Sequence, residues 1–244
     1  MKRITLLICL CTSLFSAGQE KKELDAKSFN NEMVLLGKKM NAEMMSIKFK
    51  KEVFKDINSP VVVESANGQI IRGKGLDYKM VNPGMINFQT GKLNVLVDST
   101  ERMVIISNVD SSLQHISQLN QIPLDVLKDY KLSKTIFPTY YILRAEPENK
   151  TIGILEFYIH KESTELFKFN MFYPPGNYFS ESMEDESLES PYLTIIFEPM
   201  KKLKETASLI SLENILEKKA DGEYLLSPKM AGFQLKDTRY KSPK

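Results

Sequence analysis

The sequence predicts an α+β protein: a strongly curved antiparallel sheet with an N-terminal helix and a mid-chain helical segment as its lid. Three observations carry this. Apolar residues recur at helical spacing over residues 24–44, then switch to strand alternation from Ser46 onward. Turn signals at Asn82-Pro83-Gly84, Thr90-Gly91 and Asp98-Ser99-Thr100-Glu101 separate short apolar runs by connections too brief for parallel crossovers, so the neighbours must pair antiparallel. Several of these runs are apolar on both parities, so both sheet faces need cover.

The first residues stand apart from the fold. Lys2-Arg3 precedes an apolar run from Ile4 to Phe15, which is too short to cross a hydrocarbon core of roughly 30 Å, and Ser16-Ala17-Gly18 follows with small side chains. This reads as a secretory signal cleaved after residue 18, with a retained membrane anchor or a lipoprotein signal as the alternatives. Both cysteines, Cys9 and Cys11, lie inside it. The mature chain then has no disulfide, and its stability must come from its own core. Without Lys2 and Arg3 it holds 31 basic against 31 acidic side chains. A net charge of zero leaves no basic footprint for nucleic acid. Residues 19–244 read as a single domain, since no repeat or interdomain linker is visible.

Within that domain, Phe29, Met33, Leu36, Met40 and Met44 form one stripe of a helix over residues 24–44, with Asp25 or Ser28 as its cap. Ile47, Phe49 and Val53 then alternate with polar residues in a first strand. Asn67-Gly68 is a strong two-residue hairpin signal, which predicts a return strand over residues 69–81. Strands follow at residues 85–89, 92–97 and 102–107. Leu113, Ile116, Leu119 and Pro123 place a helical insertion within residues 111–130. Strands resume at residues 134–145, 151–160, 165–173 and 192–197. The acidic stretch at residues 174–191 reads as a long exposed loop; a calcium site is the alternative, but no spacing matches the twelve-residue calcium loop. A helix is predicted at residues 211–219, with short strands at 223–226 and 231–236.

No catalytic constellation stands out. His115 and His160 are the two histidines, and a mature chain without cysteine offers few zinc ligands. Ser112 lacks a nucleophile elbow, and Arg72-Gly73-Lys74-Gly75 lacks the third glycine of a dinucleotide loop. The reading is therefore non-enzymatic, with no metal and no cofactor.

The less ordinary feature is the apolar character of Met103-Val104-Ile105-Ile106, Tyr140-Tyr141-Ile142-Leu143 and Ile154-Leu155 with Phe157-Tyr158-Ile159 on both parities. A sheet curved around helices would make a concave apolar site. The alternative is a β-sandwich whose second sheet supplies the cover.

The order of elements, with Ser46-Ile-Lys-Phe-Lys-Lys-Glu-Val, Gly75-Leu-Asp-Tyr-Lys, the passage from Met85 through Gly91-Lys92 to Asp98, and Arg102-Met-Val-Ile-Ile, resembles the periplasmic lipoprotein-carrier (LolA-like) family. The match is best over residues 24–107 and departs from the family pattern at Thr90 and in the absence of tryptophan. The resemblance implies an incomplete β-barrel lidded by helices, whose apolar cavity takes the acyl chains of a lipoprotein or lipid. It also implies a periplasmic or secreted location and a membrane-associated delivery partner; the chain is read as a monomer. The expected cavity residues are Phe29, Met33, Leu36 and Met40 from the helix and Phe49, Ile105, Phe157 and Phe169 from the strands. The runner-up function is a secreted structural or interaction module with a filled core.

Overall fold

The computed structural model describes residues 20–41, 44–57, 59–75, 77–91, 93–109, 127–148, 153–174 and 191–239. The expected leader, residues 1–18, lies outside the described residues, as do residues 111–126 of the helical segment expected over 111–130 and residues 175–190 of the loop expected over 174–191; Tyr130, at the end of that segment, is in a strand.

A short strand, β1 (Glu20–Leu24), leads into the helix α1 (Ala26–Asn41). Asp25 caps α1: its carboxylate accepts the Ser28 backbone N–H at 2.7 Å and the Ser28 hydroxyl at 3.1 Å, satisfying a donor that the first turn leaves unpaired. The Ser28 backbone bond holds the Asp25 carboxyl below its usual range, with the hydroxyl bond adding to it.

The strands that follow are β2 (Met45–Phe54), β3 (Val62–Arg72), β4 (Tyr78–Asn82), β5 (Met85–Thr90), β6 (Leu93–Asp98) and β7 (Met103–Asn108). Then come β8 (Tyr130–Ile136), β9 (Tyr140–Pro147), β10 (Ile154–His160), β11 (Leu166–Phe172), β12 (Tyr192–Phe197) and β13 (Lys201–Lys202). The C-terminal part supplies β14 (Leu216–Lys218), β15 (Tyr224–Leu226) and β16 (Gln234–Asp237). One curved sheet runs β1-β8-β9-β10-β11-β12-β2-β3-β4-β5-β6-β7-β16, with β13 also on β2. Its two ends do not meet, so the barrel is not closed. Pairing is antiparallel except between β7 and β16, which run parallel. The expected turn at Asn82-Pro83-Gly84 is present, with Gly84 at φ +75°, a conformation that favours glycine.

Four local expectations are corrected. Residues 69–81 are not one return strand but the end of β3 and most of β4, which fold back on each other. Asn67-Gly68 is not a turn. Both residues lie inside β3, opposite Lys50 and Phe49, and the chain reverses earlier, between Phe54 and Val62. Residues 134–145 are not one strand but parts of two, β8 and β9, which fold back on each other around Phe137-Pro138-Thr139. Residues 211–219 are not a helix: turns there lead into β14, which pairs with β15. The apolar residues Ile215 and Leu216 are buried against the sheet rather than along a helix stripe.

The register places two apolar clusters on opposite faces of the sheet. Leu143, Phe157 and Phe169 share a face by direct cross-strand pairing, and α1 buries Phe29, Met33 and Leu36 onto it. On the other face, Ile71, Phe88, Val95, Val104 and Ile106 are covered by Ile210, Ile215 and Leu216 from the C-terminal part. The strands that read as apolar on both parities therefore do meet two covers.

Candidate functional site

Beneath the first three turns of α1 the side chains pack into a core: Phe29 is 0% exposed and Met33 and Leu36 are each 1% exposed. Phe157 and Phe169 meet there, with ring centroids 5.2 Å apart and tilted by 48°. Glu32 and Lys134 pair at 2.5 Å beside this cluster, and the Lys134 Nζ lies 4.0 Å from the centroid of the Tyr141 ring. Burial, with the neighbouring Glu32 charge, pushes the Tyr141 hydroxyl well above its ordinary range. This end of the helix is fastened to the sheet.

The C-terminal end of α1 is different. Met40 is only partly buried, and a cleft of about 270 Å³ opens between it and the strands. Its lining includes the apolar side chains of Met40, Ile47, Leu166, Phe167, Phe197 and Met200, with the polar His160, Glu165 and Glu198 at its rim.

Two breaks in the ladders shape this opening. Between β12 and β2, Phe197 pairs with Phe49, yet the next pair is Lys201 with Ser46. Residues 198–200 thus stand opposite only Lys48 and Ile47, bowing outward while the Glu198 N–H still reaches the Lys48 carbonyl at 2.8 Å. Between β10 and β11, Tyr158 pairs with Lys168 but Ile159 with Leu166, so Phe167 is the extra residue. Such bulges bend a strand and re-aim its side chains. Here they flank the cleft from both sides.

Of the residues expected from sequence, Met40 lines the cleft, while Phe29, Met33, Leu36 and Phe157 fill the core and Phe169 packs against it. Phe49 is half-buried against Phe197, one pair beyond the cleft. Ile105 pairs with Leu96 on the same sheet face as α1, but at the far end of the sheet. Ile47, Leu166, Phe197 and Met200 were missed as site residues. Ile47 and Phe197 carried the apolar alternation of their strands, but nothing local marks where two ladders slip. Among the described residues no group of three or more His, Cys, Asp or Glu side chains could hold a metal ion. No helix among them is long and apolar enough to cross a membrane.

Fold and site together define an α+β protein with an open, curved antiparallel sheet and an apolar cleft at the end of its covering helix. No protein-family model matches the chain, and no curated protein matches it. Among solved structures it is similar to a LolA superfamily protein from Nitrosomonas europaea, at 9% identity and a TM-score of 0.34, covering 77% of this chain and 98% of that one. It is also similar to the Pseudomonas aeruginosa MucA/MucB complex (10%, TM-score 0.37, 72% of this chain and 58% of that one). A third is the Mycobacterium tuberculosis lipoprotein LppX (11%, TM-score 0.31, 69% and 93%). Superpositions this loose leave the function to rest on the chain's own geometry.

Proposed function

We propose that this protein is a secreted, non-enzymatic binder or carrier of an apolar chain, the acyl chain of a lipid or lipoprotein, and that it acts in the periplasm or outside the cell. The observation that carries the reading is the apolar cleft bounded by Met40, Ile47, Leu166, Phe197 and Met200. At roughly 30 Å³ for each water-sized or methylene-sized group, its 270 Å³ accommodates about nine such groups. That matches a segment of one alkyl chain and is too small for several chains at once.

The test is a homologous series of single-chain amphiphiles added to delipidated protein. Each methylene buried contributes about 0.8 kcal/mol, close to a fourfold gain in affinity. Stabilisation should climb with chain length and flatten near the cleft's capacity. A hundredfold excess over Kd should add about 2.7 kcal/mol of stability. A melting temperature indifferent to chain length would reject the reading.

One observation favours a second reading, that of a secreted interaction module. The space beneath Phe29, Met33 and Leu36 is filled by the protein's own side chains. On that reading the cleft is only a surface irregularity, and the amphiphile series gives no chain-length dependence.

A further inference from the structure

We propose that the outer half of β3, residues 62–67, docks an extended peptide segment of a partner protein as an added strand. β3 pairs with β2 along its length, from Val62 opposite Phe54 to Arg72 opposite Met45. With β4 it pairs only through Gln69 to Arg72, because β4 turns away at Pro83-Gly84 into β5. Residues 62–67 therefore present a strand edge with no partner strand among the described residues. At about 3.4 Å per residue this edge is about 20 Å long.

Exposed edges are ordinarily guarded by charge, proline, brevity or a bulge. This one has a bulge at Val63, where its ladder with β2 slips, but little charge. Residues 57–63 carry no charge, and Val61, Val62 and Val63 are 53%, 40% and 43% exposed. The charge that follows, Glu64, is held by Lys51 from β2 at 2.8 Å, and Ser65, Ala66 and Asn67 are neutral. Val63 has no opposite residue on β2, since the ladder steps from Glu64–Val53 to Val62–Phe54.

The N–H and C=O groups along this edge, which meet no partner strand among the described residues, identify the occupant. An extended peptide pairs with the outward-pointing groups at every second residue of such an edge, while its alternate apolar side chains pack against the valines. A bilayer would bury the same valines but leave the edge without hydrogen-bond partners, which is why open sheet edges are not found in hydrocarbon. The turn beside the edge is already satisfied: the Lys55 N–H donates to the Val61 carbonyl at 3.1 Å and the Val61 N–H to Ser59 Oγ at 3.2 Å. Among the described residues, the need left unmet lies along the strand.

The experiment measures binding of the full chain to a labelled peptide of alternating valine and threonine flanked by lysines, and to the same peptide N-methylated at every residue, which deletes its donors. The unmodified peptide should bind about tenfold or more tightly than the methylated one. Val63→Lys should weaken binding by about tenfold without moving the melting temperature, because the side chain it replaces is exposed. Val61→Lys, outside the strand, is the second variant should the first unfold. Equal affinity for the two peptides, or no binding of either up to about 1 mM, would overturn the proposal. So would valine-dependent binding to vesicles of phosphatidylglycerol and phosphatidylethanolamine without peptide binding, which would assign the patch to a lipid surface.

Discussion

The ring of Phe49 lies over the bare Cα of Gly68, its direct partner across the β2–β3 ladder: a Cβ on Gly68 would stand 2.2 Å from Phe49 Cζ and 2.7 Å from the Val81 carbonyl oxygen. Glycine is required here for close approach inside a strand, not for a turn.

Gly68→Ala should therefore destabilise the protein by about 1–3 kcal/mol, the usual cost of overpacking a filled site. Adding Phe49→Ala should recover only part of that loss, because the Val81 backbone stays in place. Denaturant midpoints of the two single variants and the double variant decide it. A neutral Gly68→Ala would mean that the ring does not pack there.

The two ends of α1 should respond differently to substitution. Leu36→Ala, at a site 1% exposed, should cost about 2–5 kcal/mol and leave the amphiphile response of the folded protein intact. Met40→Trp should fill the cleft, abolish chain-length-dependent stabilisation and cost far less stability. Thermal melts with and without a ten-carbon amphiphile separate these outcomes. Loss of the response in Leu36→Ala alone would place the ligand beneath the helix instead.

On the face opposite α1, the buried Glu156 carboxylate accepts from Arg144 Nη1 at 2.6 Å, the Tyr158 hydroxyl at 2.9 Å and Asn170 Nδ2 at 3.3 Å, and Thr194 Oγ1 donates to Asn170 Oδ1 at 3.0 Å. Arg144→Met strips this buried acceptor of its cation and should cost about 1–3 kcal/mol. Coupling it with Glu156→Leu should cost less than the two single changes added together, since the uncompensated charge is gone. Strict additivity in the double-mutant cycle would show that the two side chains do not interact.

Alkali should expose the buried tyrosines. Burial raises Tyr141 first, with Glu32 adding to it, and burial with Glu156 does the same for Tyr158. The unfolded chain ionises these phenols near pH 10, below their folded-state range. Their contribution to stability is thus complete below about pH 10 and drains away as pH rises through the folded-state values. Tyr141→Phe should flatten the alkaline limb of the stability curve. An unchanged limb in both this variant and Tyr158→Phe would assign the pH dependence elsewhere.

Much of the architecture was legible from residue order. The Phe29, Met33, Leu36 and Met40 stripe marks α1 because side chains at those spacings must share one side of a helix. Strand alternation marks β2 and β11, and Asn82-Pro83-Gly84 marks the turn between β4 and β5. The apolar runs on both parities correctly demanded two covers, because each residue's face follows from its own position in a pleated strand. Tertiary structure alone decided the rest. Asn67-Gly68 has the composition of a hairpin turn, yet it is drawn into β3 because pairing with ten residues of β2 and the Phe49 contact outweigh a local preference. Ile215 and Leu216 read as part of a helix, but cover of Val104 and Ile106 is supplied by turns and a short strand, a choice set by the shape of the surface they meet. The cleft exists because two ladders each slip by one residue, at Phe167 and at residues 198–200. A slip in register is a relation between segments distant in sequence, so periodicity, which reports only which face a side chain takes, carries no trace of it.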